Sequence, residues 1–220
     1  MDLTNTLASS PVQPFGWSTP GAGWQQAPQE LNAVVLRTRA QRLMVKHLRA
    51  LADTQTEYRI DPALAAMEEL KDELGVVMAI MLGNEPIATI RFIPSGHGVT
   101  VTERFWGFAS AGTELVGPDS WEAGRLIMSP DHRRGDMLPK CMSLAFAELV
   151  QTVKVRHLHG SCHMRLYRLY RRFGFQIHTR TTTVDGADAA LVHGDVRSVA
   201  RALKVDLPEF MDSQIPALLV

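Results

Sequence analysis

Cysteine is nearly absent, with Cys141 and Cys162 the only two in 220 residues. Two thiols build neither a disulfide framework nor a zinc site of paired cysteines, so a reducing compartment is expected. Charge of one sign is not in excess either: 23 Lys and Arg stand against 23 Asp and Glu. A balanced chain carries no broad field for nucleic acid or an anionic membrane, and neither is expected as a partner. Long apolar runs are missing too, since the longest, VVMAIML at 76–82, is far too short to cross a bilayer. No basic segment followed by an apolar one opens the chain, so the cytoplasm is the expected location.

What is there suits a folded enzyme-sized unit. The length and the 45% hydrophobic content allow one domain with a full core. Residues 1–29 are rich in Ser, Pro, Gly and Gln, with Trp17 and Trp24 their only large anchors. That composition reads as a flexible arm, leaving 30–220 as the domain.

Between Leu31 and Leu51 apolar residues recur at mostly helical spacing, which predicts an amphipathic helix. A second helix is expected over DPALAAMEELKDELG, with Asp61 as cap, Pro62 at the first turn and Gly75 at the end. The period then changes: VVMAIML and IATIRFI flank the turn residues GNEP and predict a hairpin over 76–93. GVTVTERF at 98–105 reads as a third strand and EAGRLIMS as a fourth, followed by a long helix over 137–153. VRHLHGS predicts another strand, HMRLYRLYRR a helix, and the segments either side of Asp185–Gly186 a closing pair of strands. The order describes an α/β domain with a mixed sheet flanked by helices.

Two stretches carry chemistry. In LYRLYRRFGF, residues 166–175, Gly174 is placed to end a helix in the left-handed conformation, and Tyr167 and Tyr170 share one helix face. The second stretch is DSWEAGRLIMSPDHRRG at 119–135. His157, His159 and His163 lie near Cys162, but no fourth ligand is evident, and no metal is expected.

The LYRRFGF ending resembles the Y-x-x-x-G-F corner of the GCN5-related N-acetyltransferase (GNAT) superfamily, with Tyr170 at the motif's tyrosine. Together, IATIRFIPS and DSWEAGRL are similar to the acyl-homoserine-lactone synthases and N-acyl amino acid synthases of that fold, on Arg91, Trp121, Glu122 and Arg125. The resemblance spans roughly residues 70–183 and implies a GNAT-like fold with a mostly antiparallel central sheet. It implies direct acyl transfer from an acyl-CoA or an acyl carrier protein to the amine of a small amino-acid-like acceptor.

In that reading Glu122 is the base and Tyr170 the proton donor to the leaving thiolate. Pairing of Glu122 with Arg91 or Arg125 is the structural alternative. Leu126, Ile127 and Met128 would dock the carrier's amides, and Arg133, Arg134 and Gly135 its phosphate. Arg91, Trp121, Arg125 and His159 would face the acceptor. A Cys162 nucleophile would require a covalent intermediate that the superfamily usually does without.

The departures also inform. HRRGDMLPK supplies one loop glycine where the superfamily's phosphate loop has two small residues. Residues 31–73 lack the Phe, Trp and paired acids that hold S-adenosylmethionine in the lactone synthases, so a different amine is expected. An acyl-homoserine-lactone synthase, an ordinary acetyl-CoA enzyme and a non-catalytic acyl-thioester sensor remain alternatives.

Overall fold

The computed structural model describes residues 30–52, 63, 66–107, 117, 119–182 and 186–209. The arm at 1–29 and the Asp61–Pro62 helix start lie outside them.

Among the described residues seven strands form one sheet: β1 (Leu31–Val35), β2 (Val76–Leu82), β3 (Glu85–Pro94), β4 (Ser120–Met128), β5 (His157–His163), β6 (Gln176–Thr182) and β7 (Asp188–Asp195). Their spatial order is β1-β2-β3-β4-β5-β7-β6. Every neighbouring pair is antiparallel except β4 with β5, which run parallel. The mixed α/β sheet read from the sequence is the one observed.

Both faces of the sheet are covered, which explains why β2 is apolar throughout rather than alternating. Val76, Met78 and Ile80 point to the face packed by α4 (Met137–Thr152), together with Met142, Phe146 and Leu149. Val77, Ala79 and Met81 point the other way, against Val45 and Leu48 from the segment holding α1 (Arg39–Arg42) and α2 (Lys46–Arg49). On that second side α3 (Glu68–Leu74) packs over β3. Its end at Gly75 is as expected, and a Cβ there would lie 2.5 Å from the Phe92 carbonyl oxygen.

Two readings are corrected and one element is added. Residues 31–51 are not one helix. Leu31–Val35 extends to pair with β2, Leu31 opposite Leu82 and Val35 opposite Met78. The helix begins only after Thr38, whose side chain caps Gln41 while the Gln41 side chain returns to the Thr38 backbone. The expected strand at 98–105 is instead a short helical turn, Thr102–Trp106. Its cause is Glu103, whose carboxylate accepts from the amides of Gly96, Val99 and Thr100 and from the Thr100 hydroxyl. A chain wrapped around one carboxylate cannot extend. The last is α6 (Val196–Leu203), absent from the sequence reading, with Asp195 capping the Ser198 amide at 3.0 Å.

The helix stop at Gly174 is as read: φ is 88°, and an added Cβ would meet the Ser198 carbonyl oxygen at 2.5 Å. It closes α5 (Tyr167–Arg172), and Phe173 and Phe175 bury on either side.

Candidate active site

The parallel pair β4 and β5 is in register only from Ser120 opposite His157 to Glu122 opposite His159. Both strands continue, but their ladder does not. One cause lies on the other edge of β4. There the register with β3 slips between Thr89, opposite Ile127, and Arg91, opposite Gly124, and Arg125 takes a positive φ of 52°. This bulge shifts the alternation by one residue, so Trp121, Ala123, Leu126 and Met128 join the core on one face while Ile127 packs on the other. It also turns Arg125 toward Glu68 rather than into the core.

A cavity of about 600 Å³ opens where the strands part. One wall is β4 from Glu122 to Met128, and the opposite wall carries Leu166, Leu169 and Tyr170 around α5. Leu126, Ile127 and Met128 therefore line the cavity, as the reading of a docking strand requires. Arg133 lines it too and is held by its Nε donating to the Met128 carbonyl at 3.0 Å. Arg134 is exposed and not part of the wall. Gly135 has a φ of 63° just before α4.

Glu122 reaches the cavity from a buried position. Its carboxylate accepts from the Val101 amide at 3.2 Å, the Thr102 amide at 2.8 Å and the Thr102 hydroxyl at 2.8 Å. Burial raises its pKa above the usual carboxylate value, outweighing those bonds and the Lys71 ammonium. The alternative of a Glu122 ion pair with Arg91 or Arg125 is not what forms, because both arginines go to Glu68.

Tyr170 stands across the same cavity with its ring edge-on to Phe175, centroids 5.6 Å apart. Burial raises its phenol pKa, as do nearby Cys162 and Glu122, so the hydroxyl keeps its proton. Cys162 is itself buried, with a thiol pushed up to about 11, and does not line the cavity. That environment disfavours a thiolate nucleophile.

An ionic cluster closes the other end. Arg91 donates to Glu68 at 3.1 Å and to Asp72 at 2.8 Å, Lys71 donates to Glu68 at 3.1 Å, and Arg49 also holds Asp72. Arg91, Arg125 and Lys71 all line the cavity, Lys71 with only 2% of its surface exposed. Burial opposes ionisation of Glu68, yet Arg91, Arg125 and Lys71 outweigh it and hold the carboxyl at about 2. The sequence reading saw the arginines but not Lys71 or Glu68, which EELKDE shows only as a charged helix face.

Two expected acceptor contacts are elsewhere. Trp121 is a core residue whose indole donates to the Lys154 carbonyl, because its side chain falls on the α4 face of β4. His159 is fully buried and does not line the cavity. Its Nε2 lies 2.8 Å from the Ser95 hydroxyl and its Nδ1 2.8 Å from the Thr102 hydroxyl. Burial, followed by His193, lowers its pKa to about 3, so the ring is neutral. Thr102 was not singled out by any motif; it sits in the segment read as a strand. Among the described residues no cluster of His, Cys, Asp and Glu is arranged to hold a metal, and no helix is long and apolar enough to cross a membrane.

This split sheet is the fold of the GCN5-related N-acetyltransferases. FeeM, an N-acyl amino acid synthase from uncultured soil microbes, superposes with a TM-score of 0.59 over 79% of this chain and 96% of that one, at 14% identity. BjaI, a CoA-dependent acyl-homoserine lactone synthase, gives 0.56 over 83% and 96%, at 16% identity. The aminoglycoside acetyltransferase AAC(6')-Ib, in complex with coenzyme A and kanamycin, gives 0.53 over 78% and 98%, at 16% identity. No family model and no curated protein matches the sequence. What is shared at these identities is the fold.

Proposed function

We propose that the chain is an N-acyltransferase that moves an acyl group directly from a thioester to the amine of a small, amino-acid-like acceptor. The observation that carries this reading is the pairing of Glu122 and Tyr170 across one cavity at the β4/β5 split. A carboxylate of raised basicity faces a phenol that keeps its proton, the two groups that aminolysis of a thioester needs.

The amine nitrogen attacks the thioester carbon as Glu122 takes its proton. The negative charge that develops on the carbonyl oxygen is met by a backbone amide of the Leu126–Met128 stretch, which lines the cavity. Collapse breaks the carbon–sulfur bond, Tyr170 protonates the departing thiolate, and the proton that Glu122 took from the amine returns to the Tyr170 phenolate. Arg91, Arg125 and Lys71 hold the acceptor's carboxylate at the cationic end, where Glu68 and Asp72 are already engaged by the same side chains. Those engaged acids suit an anionic amino acid better than a sulfonium. The apolar walls take the acyl chain.

The donor is an acyl-CoA or an acyl carrier protein, with Arg133 on the cavity wall and Arg134 and Gly135 following it in the chain for its phosphate. The test is mass spectrometry of lipid extracts from cells expressing the chain, beside cells expressing Glu122→Gln, followed by purified protein with both donor types and a panel of amines. N-acyl amino acids that vanish in the variant support the reading. Acyl-homoserine lactones would move the acceptor to S-adenosylmethionine, acetyl transfer alone would point to an ordinary acetyl-CoA enzyme, and donor binding without product to a sensor.

A further inference from the structure

An amino acid reaches the site as an ammonium. When it meets a thioester, one of its three N–H hydrogens stays in the amide, one ends on the departing sulfur, and one must leave the protein each turnover. The nitrogen–carbon bond forms, the carbon–sulfur bond breaks, and nothing is oxidised or reduced. A base at Glu122 is therefore useful only if it can be emptied, and its side chain is buried in the cavity wall.

We infer that the released proton leaves Glu122 through a relay of Thr102, His159 and Ser95, which stand behind the carboxylate and outside the cavity lining. This rests on the reading of Glu122 as the base. The geometry is a continuous chain: Glu122 Oε2 to Thr102 Oγ1 is 2.8 Å, Thr102 Oγ1 to His159 Nδ1 is 2.8 Å, and His159 Nε2 to Ser95 Oγ is 2.8 Å. Thr102, His159 and Ser95 are buried and none lines the cavity. Past Ser95 the chain surfaces at once, through the exposed residues 96–98.

With the imidazole neutral, only two proton arrangements satisfy this chain, because the Thr102 hydroxyl and the ring each have one hydrogen to give. With Glu122 ionised, Thr102 donates to it, His159 Nδ1–H donates to Thr102, and Nε2 accepts from Ser95. With Glu122 protonated, the acid donates to Thr102, Thr102 donates to Nδ1, and Nε2–H donates to Ser95. Passing from the second to the first moves each hydrogen one step and delivers one proton at Ser95. The imidazole changes tautomer without storing charge, which agrees with a ring held neutral by burial. Besides Glu122, the titratable groups that bear on the ring are Glu103, His157 and His193.

The test reads the tautomer directly. In the full-length protein labelled with nitrogen-15 histidine, His159 should stay neutral while its proton moves from Nδ1 to Nε2 as falling pH protonates Glu122. In Glu122→Gln no such pH-driven exchange should occur. A His159 that keeps one tautomer through the Glu122 titration, or becomes imidazolium with it, overturns the relay.

Kinetics give a second arm. Thr102→Val and His159→Gln should lose about tenfold or more in kcat with amino acid acceptors. With hydroxylamine at about pH 8, an uncharged amine whose acylation releases no net proton, the loss should be several-fold smaller. Thr102→Ser, which keeps the hydroxyl, should behave as wild type. Equal losses on both acceptors would mean a merely structural role and overturn the proposal. Full activity in Glu122→Gln would instead sink the base on which it rests, a separate failure.

Discussion

Glu122 and His159 stand in register on the parallel pair β4 and β5, and the Thr102 hydroxyl bridges them, 2.8 Å from each. The last rung before the sheet splits thus holds the one carboxylate that β4 presents to the cavity, with a neutral imidazole behind it rather than a cation. Burial without a counter-ion in direct contact is what raises the Glu122 pKa.

Glu122→Gln is expected to lower kcat by about a hundredfold while leaving the thioester KM near wild type. Because the wild-type carboxyl is raised, the acid limb of kcat/KM should fall above the ordinary carboxylate range and disappear in the variant. An identical pH profile in both proteins would remove Glu122 from the role of base.

Tyr170→Phe removes the proton for the thiolate. With an alkyl thioester kcat should drop about tenfold to a hundredfold, and with an aryl thioester, whose thiolate leaves unaided, by far less. Comparing the two donors checks this, since a packing defect would slow both alike.

Glu68 sets an acid limit to stability. Its carboxyl lies at about 2 in the folded protein against 4.5 for the free group, so the folded state binds fewer protons than the unfolded chain in that window. Its contribution is complete above about pH 4.5 and is lost as pH falls toward about 2. With a third of the side chain exposed, screening reduces the contribution to about 1–2 kcal/mol. Urea titrations should show Glu68→Gln less stable than wild type at neutral pH and closer to it near the bottom of that window. A constant gap at all pH values contradicts the assignment.

The sheet was legible because its signals are local: the GNEP turn, the β-branched runs and Gly174 all act within a few residues. The 31–51 error came from an edge strand, where Val34 and Val35 fit either period until β2 is known to pair with them. The 98–105 error came from Glu103, since nothing in VTVTERF reveals that the carboxylate folds back on four donors. α6 could have been found, as Val196, Val199, Ala200 and Leu203 keep helical spacing behind a capping Asp195. Glu122 and Tyr170 were proposed from motifs, and both line the cavity. Lys71, Thr102 and the true place of His159 depend on elements distant in sequence, and Trp121 was misread because the Arg125 bulge and strand parity decide its face.

Arg125 tests the acceptor. Its guanidinium lines the cavity and pairs with Glu68 at 3.2 Å, so Arg125→Gln removes one cation from the proposed carboxylate site. The KM for amino acid acceptors should rise by about tenfold, while the corresponding decarboxylated amines are unaffected. Equal rises for both would place the carboxylate elsewhere.

Acyl-chain length follows from the walls of the cavity. Leu138 and Leu169 line it from α4 and α5, and both are only half-buried, so each can be enlarged without crowding the packed core. Phenylalanine at either position fills space that the distal end of an acyl chain occupies in the proposed complex. Each methylene forced out of the apolar pocket loses about 0.8 kcal/mol, or about fourfold in kcat/KM. Leu138→Phe and Leu169→Phe should therefore shift the optimum to shorter donors, with short-chain rates held and long-chain rates falling in steps of that size. Measuring kcat/KM over a series of acyl-CoA lengths decides it: a uniform loss would report damage to the catalytic groups, and an unchanged profile would mean that the chain lies along another wall.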